Sequence, residues 1–554
     1  MNAYQTMSAV GTDDGSLLAR AGQRSTALIS GSPFWGWAGP VLIMIFGGFL
    51  RFYRLSQPKA VVFDETYYVP DANSILHHGV ELDHLSTINK LLISGNPNIF
   101  LLSRDPSTCA PHKVPCLVGE VVAHPPLGKV MMAVGQWMFG LSPFGWRFST
   151  ALIGTVSILL LARIVRRMTR STMLGCIAGL LLALDGLELV LSRTAILDVL
   201  VMFWVLAAFG LLVIDRDQVI ARLADASAEP GSQDLAGPQL GIRWLRVAAG
   251  LCLGAAVATK WNGLWFLLAL AGLAIAWDFG ARRAAGYSRW LSGGLRSEGR
   301  WLPVWFGLAP IAVYITSWTG WFATGNGYDR NWAAANGNHS PIWSTIDSWW
   351  QYNYWMYKFG LNLSSFQSYK SNPVGWMVLA RPISFYWCAG NSVPKCGVST
   401  GNAQEVLAMG TPLIWWGGTL ALLFCLGWWL TGFIGDRVFR RMIPQRDWRA
   451  GAALLCVAAG WLPWVWYAWH DDRTEFYYYA VAYVPFMIMA IVLCLGLIIG
   501  PASAPPGRRA IGAVAAGGYL LAVLLNLAYL FPVFTAEIIP YASWLSKMWF
   551  HRWI

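Results

Sequence analysis

An acidic pair, Asp64 and Glu65, stands in the run Val62–Tyr68 (Val-Phe-Asp-Glu-Thr-Tyr-Tyr), directly after the first strongly apolar stretch of the chain. Carboxylates are costly near hydrocarbon, so a pair where a membrane span would meet water is a candidate functional site, the plain alternative being the start of a solvated loop. The chemistry such a pair offers is proton removal from an attacking hydroxyl by one carboxylate, with the other positioning a reactant. Three cations, a histidine and a third acid stand in comparable settings. His124 opens His-Pro-Pro-Leu-Gly-Lys129, which otherwise reads as a rigid turn. Arg147 lies in Pro143–Phe148 at the start of another apolar stretch, either as a snorkelling interfacial residue or as a grip for an anionic headgroup. Lys260 precedes Trp261-Asn262-Gly263, and Arg473 follows an aromatic run through Trp464, Trp466, Tyr467, Trp469 and His470 and precedes Phe476–Tyr479. Part of that run is an ordinary interfacial belt, yet an Arg and a His among aromatics also suit phosphate recognition. Asp198 falls about one turn into an apolar helix, where it needs a partner or a proton, and its bland role is an interhelical hydrogen bond. Arg193, five residues earlier, does not share its helical face.

The elements that must position these groups are membrane spans. Of 554 residues, 56% are hydrophobic and only 12% charged, with mean hydropathy +0.46; a soluble domain carries about 25% charged residues. Hydropathy and flanking charge predict eleven spans, near 36–53, 145–166, 172–190, 196–214, 245–260, 262–279, 302–322, 408–434, 450–468, 478–499 and 510–531. Only Trp261 and Asn262 separate the fifth from the sixth. The fold class is therefore an all-α polytopic membrane protein. With the N-terminus inside, the inner segments hold 22 of the 40 Lys and Arg against 11 of the 28 acids, an excess of eleven positive charges, while the outer side is nearly neutral. Clusters such as Arg163/Arg166/Arg167/Arg170, Arg437/Arg440/Arg441 and Arg508/Arg509 lie in short connections, where the positive-inside rule is strongest. The net charge of +12 thus reports topology, and a nucleic-acid partner is excluded. An odd number of spans puts the C-terminus outside.

Residues 1–35 read as a disordered cytoplasmic tail without a cleavable signal, 36–531 as the catalytic membrane domain, and 532–554 as an extracytoplasmic C-terminal segment. Two long outer loops, 54–144 and 323–407, carry most of the polar residues, and Val130–Phe139 is amphipathic enough to lie on the membrane surface. Cys109/Cys116 and Cys388/Cys396 form two close pairs in those loops, which suits disulfides in an oxidising compartment, with metal ligation near His112 as the competing reading. Asp64, Lys260, His124, Arg147 and Arg473 all fall on the outer face. Acids, cations and aromatics together suit a sugar–phosphate ligand: cations stabilise a departing phosphate while a carboxylate takes the acceptor's proton.

At Phe63-Asp64-Glu65, His124–Lys129, Arg193–Asp198, Lys260–Gly263 and Arg473 with its Phe/Tyr run, the chain resembles the protein O-mannosyltransferases, in particular the bacterial, actinobacterial-type members that use a polyprenyl-phosphate mannose donor. The resemblance implies a GT-C fold with eleven transmembrane helices, membrane-surface helices in the first outer loop and a lipid-donor cavity at the outer leaflet of the plasma membrane. It implies inverting mannose transfer to Ser/Thr hydroxyls of secreted or membrane proteins. Its acidic pair matches Asp64 and Glu65, and its arginines match Arg147 and Arg51 or Arg54. With the chemistry of the remaining residues, this reading gives catalysis to Asp64 as base with Glu65, donor-phosphate binding to Arg147 and Arg473 with Lys260 and His124 in second rank, and support to Asp198 and to Arg51 or Arg54. No cofactor is required, although a divalent cation is compatible. Expected partners are the donor lipid, acceptor polypeptides, membrane lipids and the protein-export machinery. The 323–407 loop is too short for the β-trefoil (MIR) insertion of eukaryotic relatives. The alternatives are a related GT-C enzyme acting on a glycan or lipid acceptor, and a lipid-sugar transporter. The clustering of ionisable groups at one face and the absence of an internal repeat speak against the transporter.

Overall fold

The computed structural model describes residues 34–96, 98–103, 116–228, 235–364, 367–392, 396–431, 447–470, 473–501 and 503–554. Most of the expected N-terminal tail, Cys109, His112, the Arg437/Arg440/Arg441 cluster and Asp471-Asp472 lie outside the described residues. The helices that matter here are α1 (Trp35–Phe52), α2 (Glu65–His78), α3 (Leu127–Phe139), α4 (Pro143–Thr169), α5 (Thr172–Ala183), α6 (Gly186–Ser192), α7 (Asp198–Ala228), α8 (Trp244–Thr259), α9 (Gly263–Ala284), α10 (Ala309–Ser317), α11 (Trp343–Leu361), α12 (Pro412–Thr431), α13 (Trp448–His470), α14 (Val484–Ile499) and α15 (Pro506–Phe534). The strands are β1 (Leu102–Ser103) paired with β2 (Cys116–Leu117), and the antiparallel sheet β3 (Ile383–Ala389), β4 (Asn402–Ala408) and β5 (Ile539–Pro540).

Among the described residues, eight helical segments are long and apolar enough to cross a membrane: α1, α4, α7, α9, α12, α13, α15, and α14 with its leading 3-10 turn Tyr477–Tyr483. This is a multi-pass membrane protein. The other three expected spans are irregular, so length and composition do not establish a count of eleven. The stretch 172–190 is a broken pair, α5 and α6, bent by 64°. Asp185 causes the break: its side chain accepts from Glu188 N at 3.0 Å and from Trp415 Nε1 at 2.9 Å, restarting the helix as an N-cap. α8 has only 16 residues, and 302–322 is a π turn (Val304–Leu308), then α10, then a short helix Thr319–Ala323. Asp198 is the first residue of α7, not one turn into it.

α7 and α14 occupy the centre. Every side chain from Val484 to Leu493 is buried, as expected of a helix apolar all round. α15 exposes Ile511, Val514 and Leu525 on a lipid-facing side. Ser142 starts α4 by accepting from Gly145 N at 3.1 Å with Pro143 in the first turn. The end of α1 is closed by Arg193, whose guanidinium donates to Leu50 O, Arg51 O and Tyr53 O at 3.1, 2.8 and 2.6 Å. At the opposite membrane face Arg243 and Arg246 form a buried network with Asp215 and Asp278. α3 buries Lys129, Met132 and Gln136 and exposes Val134, Trp137 and Met138, the two-faced pattern of a surface helix. Cys388 and Cys396 are disulfide-bonded, and Cys116 is also disulfide-bonded.

Candidate active site

Asp64 is held from both sides. Phe63 takes a left-handed backbone conformation (φ 49°), unusual for an aromatic residue, and stacks on Phe385 of β3 with ring centroids 4.7 Å apart. That turn leaves Asp64 partly open while Tyr478, at the foot of α14, donates its hydroxyl to Asp64 Oδ2 at 3.1 Å. Burial pushes the Asp64 carboxyl up to about 6, against the pull of Lys260 and the Tyr478 hydrogen bond.

Lys260 is placed by the tight α8–α9 turn. A Cβ at Gly263 would sit 2.7 Å from the backbone of Ala256, so only glycine allows the two helices to meet this closely. The ammonium pairs with both oxygens of Asp198 at 2.9 Å and lies 4.3 Å from the Tyr479 ring centroid. Asp198 therefore has the partner its burial demands.

A cavity of about 850 Å³ begins beside this group. Its polar end holds His124, Lys260, Asn262 and Arg473; its walls are apolar and aromatic, with Trp265, Phe306, Trp350 and Trp464 among them. Arg473 is fixed by donating from Nε to Gly360 O at 2.7 Å and by lying over Trp464 at 5.1 Å. Its Nη1 and the Oδ1 of Asn262 are buried without a hydrogen-bond partner among the described residues. Such atoms in an open cavity are ready for a ligand. Burial, with Lys260, Lys129 and Arg473 nearby, pushes His124 well below the usual histidine range, so its imidazole is neutral at physiological pH.

Four of the expected site residues lie elsewhere. Arg147, expected to grip phosphate, is fully buried, and all five of its donors are spent. It meets Glu65 at 2.7 and 2.8 Å and the carbonyls of Leu55, Pro58 and Ala60 at 3.3, 3.1 and 2.9 Å. Glu65, expected to face a reactant, is equally saturated, since Val62 N and Ala195 N also donate to it at 2.9 and 3.1 Å. The pair ties the loop after α1 to α4 and to the segment before α7. Arg51 is buried against Glu188 and the carbonyl of Gly47. Arg54 is exposed and offers its carbonyl to Arg193. Lys129, in the His124–Lys129 motif, is clamped by Glu81 at 2.7 Å and Asp71 at 3.4 Å.

Tyr478, Tyr68 and Asn262 were not singled out from the sequence as site groups. Tyr68 faces His124 with ring centroids 6.2 Å apart. Both tyrosines stand in aromatic runs beside charged residues, which was the available signal.

The profile of the family described as dolichyl-phosphate-mannose-protein mannosyltransferase matches residues 41–284, and that of the C-terminal four-span region of protein O-mannosyltransferase matches 345–553. The chain is 34% identical over 531 residues to the polyprenol-phosphate-mannose–protein mannosyltransferase of Mycolicibacterium smegmatis (strain MKD8), covering 94% of this chain and 93% of the relative. It is 35% identical over 535 residues to the protein of that name from Mycobacterium tuberculosis, covering 94% and 92%. In a solved structure, the Saccharomyces cerevisiae protein O-mannosyltransferase Pmt1-Pmt2 complex bound to the sugar donor, one chain superposes with a TM-score of 0.69 at 13% identity, covering 96% of this chain and 94% of that one. The fold is thus that of the GT-C membrane glycosyltransferases. Within that class, the chain belongs to the polyprenol-phosphate-mannose–protein mannosyltransferase family.

Proposed function

We propose that this protein transfers mannose from polyprenyl-phosphate mannose to Ser or Thr hydroxyls of exported polypeptides, with inversion at the anomeric carbon. The observation that carries this reading is a partly open carboxylate, Asp64, bonded to Tyr478, whose ring lies 5.6 Å from the Lys260 ammonium, with Lys260 and Arg473 Nη1 at the polar end of a lipid-sized apolar cavity. The curated relatives, named for this reaction, support the donor and acceptor classes.

In the proposed step Asp64 takes the proton of the acceptor hydroxyl. The acceptor oxygen bonds to the anomeric carbon as the bond from that carbon to the phosphate oxygen breaks, and the electron pair leaves with polyprenyl phosphate. A base with a conjugate acid near 6 is about nine-tenths ionised at pH 7 yet close enough to the operating pH to accept a proton. Arg473 holds the departing phosphate, with His124 and Asn262 orienting it. Lys260, anchored on Asp198, supports the Asp64 carboxylate and the phosphate electrostatically. Arg147 and Glu65 act as a buried frame. The step calls on no metal, and activity retained in a chelator would bear that out. The aromatic walls receive the polyprenyl chain.

The site face is proposed to be extracytoplasmic, with the N-terminus cytoplasmic, the C-terminus outside and the enzyme in the plasma membrane. The short-connection arginines support that orientation. The acceptor is proposed to reach the site as it leaves the export machinery. Labelled lipid-linked mannose incubated with membranes decides the acceptor: label should enter protein and be released by alkaline β-elimination. Label appearing only in glycan or lipid would overturn the protein-acceptor reading.

A further inference from the structure

A second concavity, of about 700 Å³, opens on the same side of the bundle and is lined by Lys370, Ser371, Asn372, Val374, Arg381 and Arg552, with no acid among the described residues that line it. Its depth in the membrane is set by the spans it rests on. Trp461 of α13 donates to Pro373 O at 2.8 Å; Thr419 and Trp416 of α12 donate to Met377 O and Val378 O at 2.7 and 3.2 Å. Thr419 and Trp416 lie in the first two turns of α12, so the groove sits where that span meets water. Its rim exposes Val374, Val378, Trp549, Phe550 and Ile554, an apolar and aromatic edge of the kind that lodges at the headgroup boundary. Arg381 is held in place: its guanidinium donates to Ser368 O at 3.1 Å, to Ile554 O at 2.8 Å and to Arg552 O, and lies 5.1 Å from the Tyr369 ring centroid.

Two exposed cations, Lys370 and Arg552, with Arg381 fixed behind them and two small polar residues at headgroup depth, beside an exposed apolar rim, complement one kind of ligand. We infer that this groove binds the phosphate headgroup of an anionic membrane lipid, at a site separate from the donor cavity. Its floor touches the catalytic segment, because Ser371 N donates to Glu475 O at 2.9 Å, two residues from Arg473. An acidic polypeptide is the competing occupant, but the exposed Val374, Val378 and Phe550 favour acyl chains beside the charge.

Lys370 and Arg552 are exposed and lie outside the proposed catalytic machinery, so K370Q/R552Q tests the idea without disturbing the fold. The purified full chain, in detergent supplemented with phosphatidylglycerol or phosphatidylcholine, is examined by native mass spectrometry for retained lipid. The expected result is selective retention of phosphatidylglycerol, weakened roughly thirtyfold in the double variant at about one cation's surface contribution each. Transfer to a neutral peptide at saturating donor should remain at the parent level. Equal retention of the two lipids, or unchanged retention in the variant, overturns the proposal. Displacement of the lipid by low-millimolar inorganic phosphate assigns the groove to free anions instead. A raised KM for acidic acceptor peptides with unchanged lipid retention assigns it to polypeptide.

Discussion

Replacing Arg147 by lysine separates a framing role from a phosphate-binding one. The guanidinium fills five hydrogen bonds to buried acceptors, two of them to Glu65, and the residue is fully buried. A lysine offers three donors from a single nitrogen and cannot span Glu65 and three carbonyls at once. At least two buried acceptors lose their partner, each costing about 1–3 kcal/mol, so the fold should lose roughly 2–6 kcal/mol. Glu65→Gln leaves the arginine without its counter-charge and should cost about 3–5 kcal/mol. The assay is the apparent unfolding temperature of purified protein in detergent, measured beside donor-lipid affinity of the folded fraction. Both variants should unfold at clearly lower temperature while the folded fraction binds donor as the parent does. An unchanged unfolding temperature with a tenfold or greater loss of donor affinity would show that Arg147 reaches the phosphate, and the framing assignment would fall.

Three further outcomes are expected. The acid limb of kcat/KM should follow Asp64, with activity falling as pH drops through about 6, and Tyr478→Phe should move that limb upward because it removes a donor to the carboxylate. The stability effect runs the other way: the folded value lies above the ordinary 3.8, so ionising Asp64 burdens the fold, and this contribution weakens stability as pH rises from about 4 to 6. Arg473→Gln should lower kcat/KM by about a hundredfold with little change in unfolding temperature, as for loss of one donor to developing charge, and steady-state kinetics with synthetic donor checks it. Lys260→Met should destabilise by about 3–5 kcal/mol by stranding Asp198, and adding Asp198→Asn should restore stability without restoring transfer.

Much of this arrangement was legible in the chain. Asp64, Lys260 and Arg473 each stand where an apolar stretch ends and His124 stands in the long loop between two of them; the charge of the connections led to the expectation that they share a face, and the structure gathers them round one cavity. The surface helix before Phe139 followed from its two-faced pattern. The fates of Arg147 and Arg473 were not separable, because both are arginines near tryptophan at a span end. What distinguishes them is tertiary: Glu65 lies 82 residues from Arg147, and their contact uses up the guanidinium. The Tyr478–Asp64 hydrogen bond joins residues 414 apart, which no local pattern encodes. Hydropathy also could not see the bend at Asp185, since the residues on either side are equally apolar and the break depends on a capping carboxylate bonded to Trp415.

The most direct test pairs two readings on one variant, Asp64→Asn: binding of polyprenyl-phosphate mannose and formation of mannosylated acceptor peptide. Donor binding should stay within about threefold of the parent while product falls by at least a thousandfold, and Asp64→Glu should recover part of the loss. Undiminished product from the asparagine variant would contradict the assignment of the base, and with it the mechanism proposed for this protein.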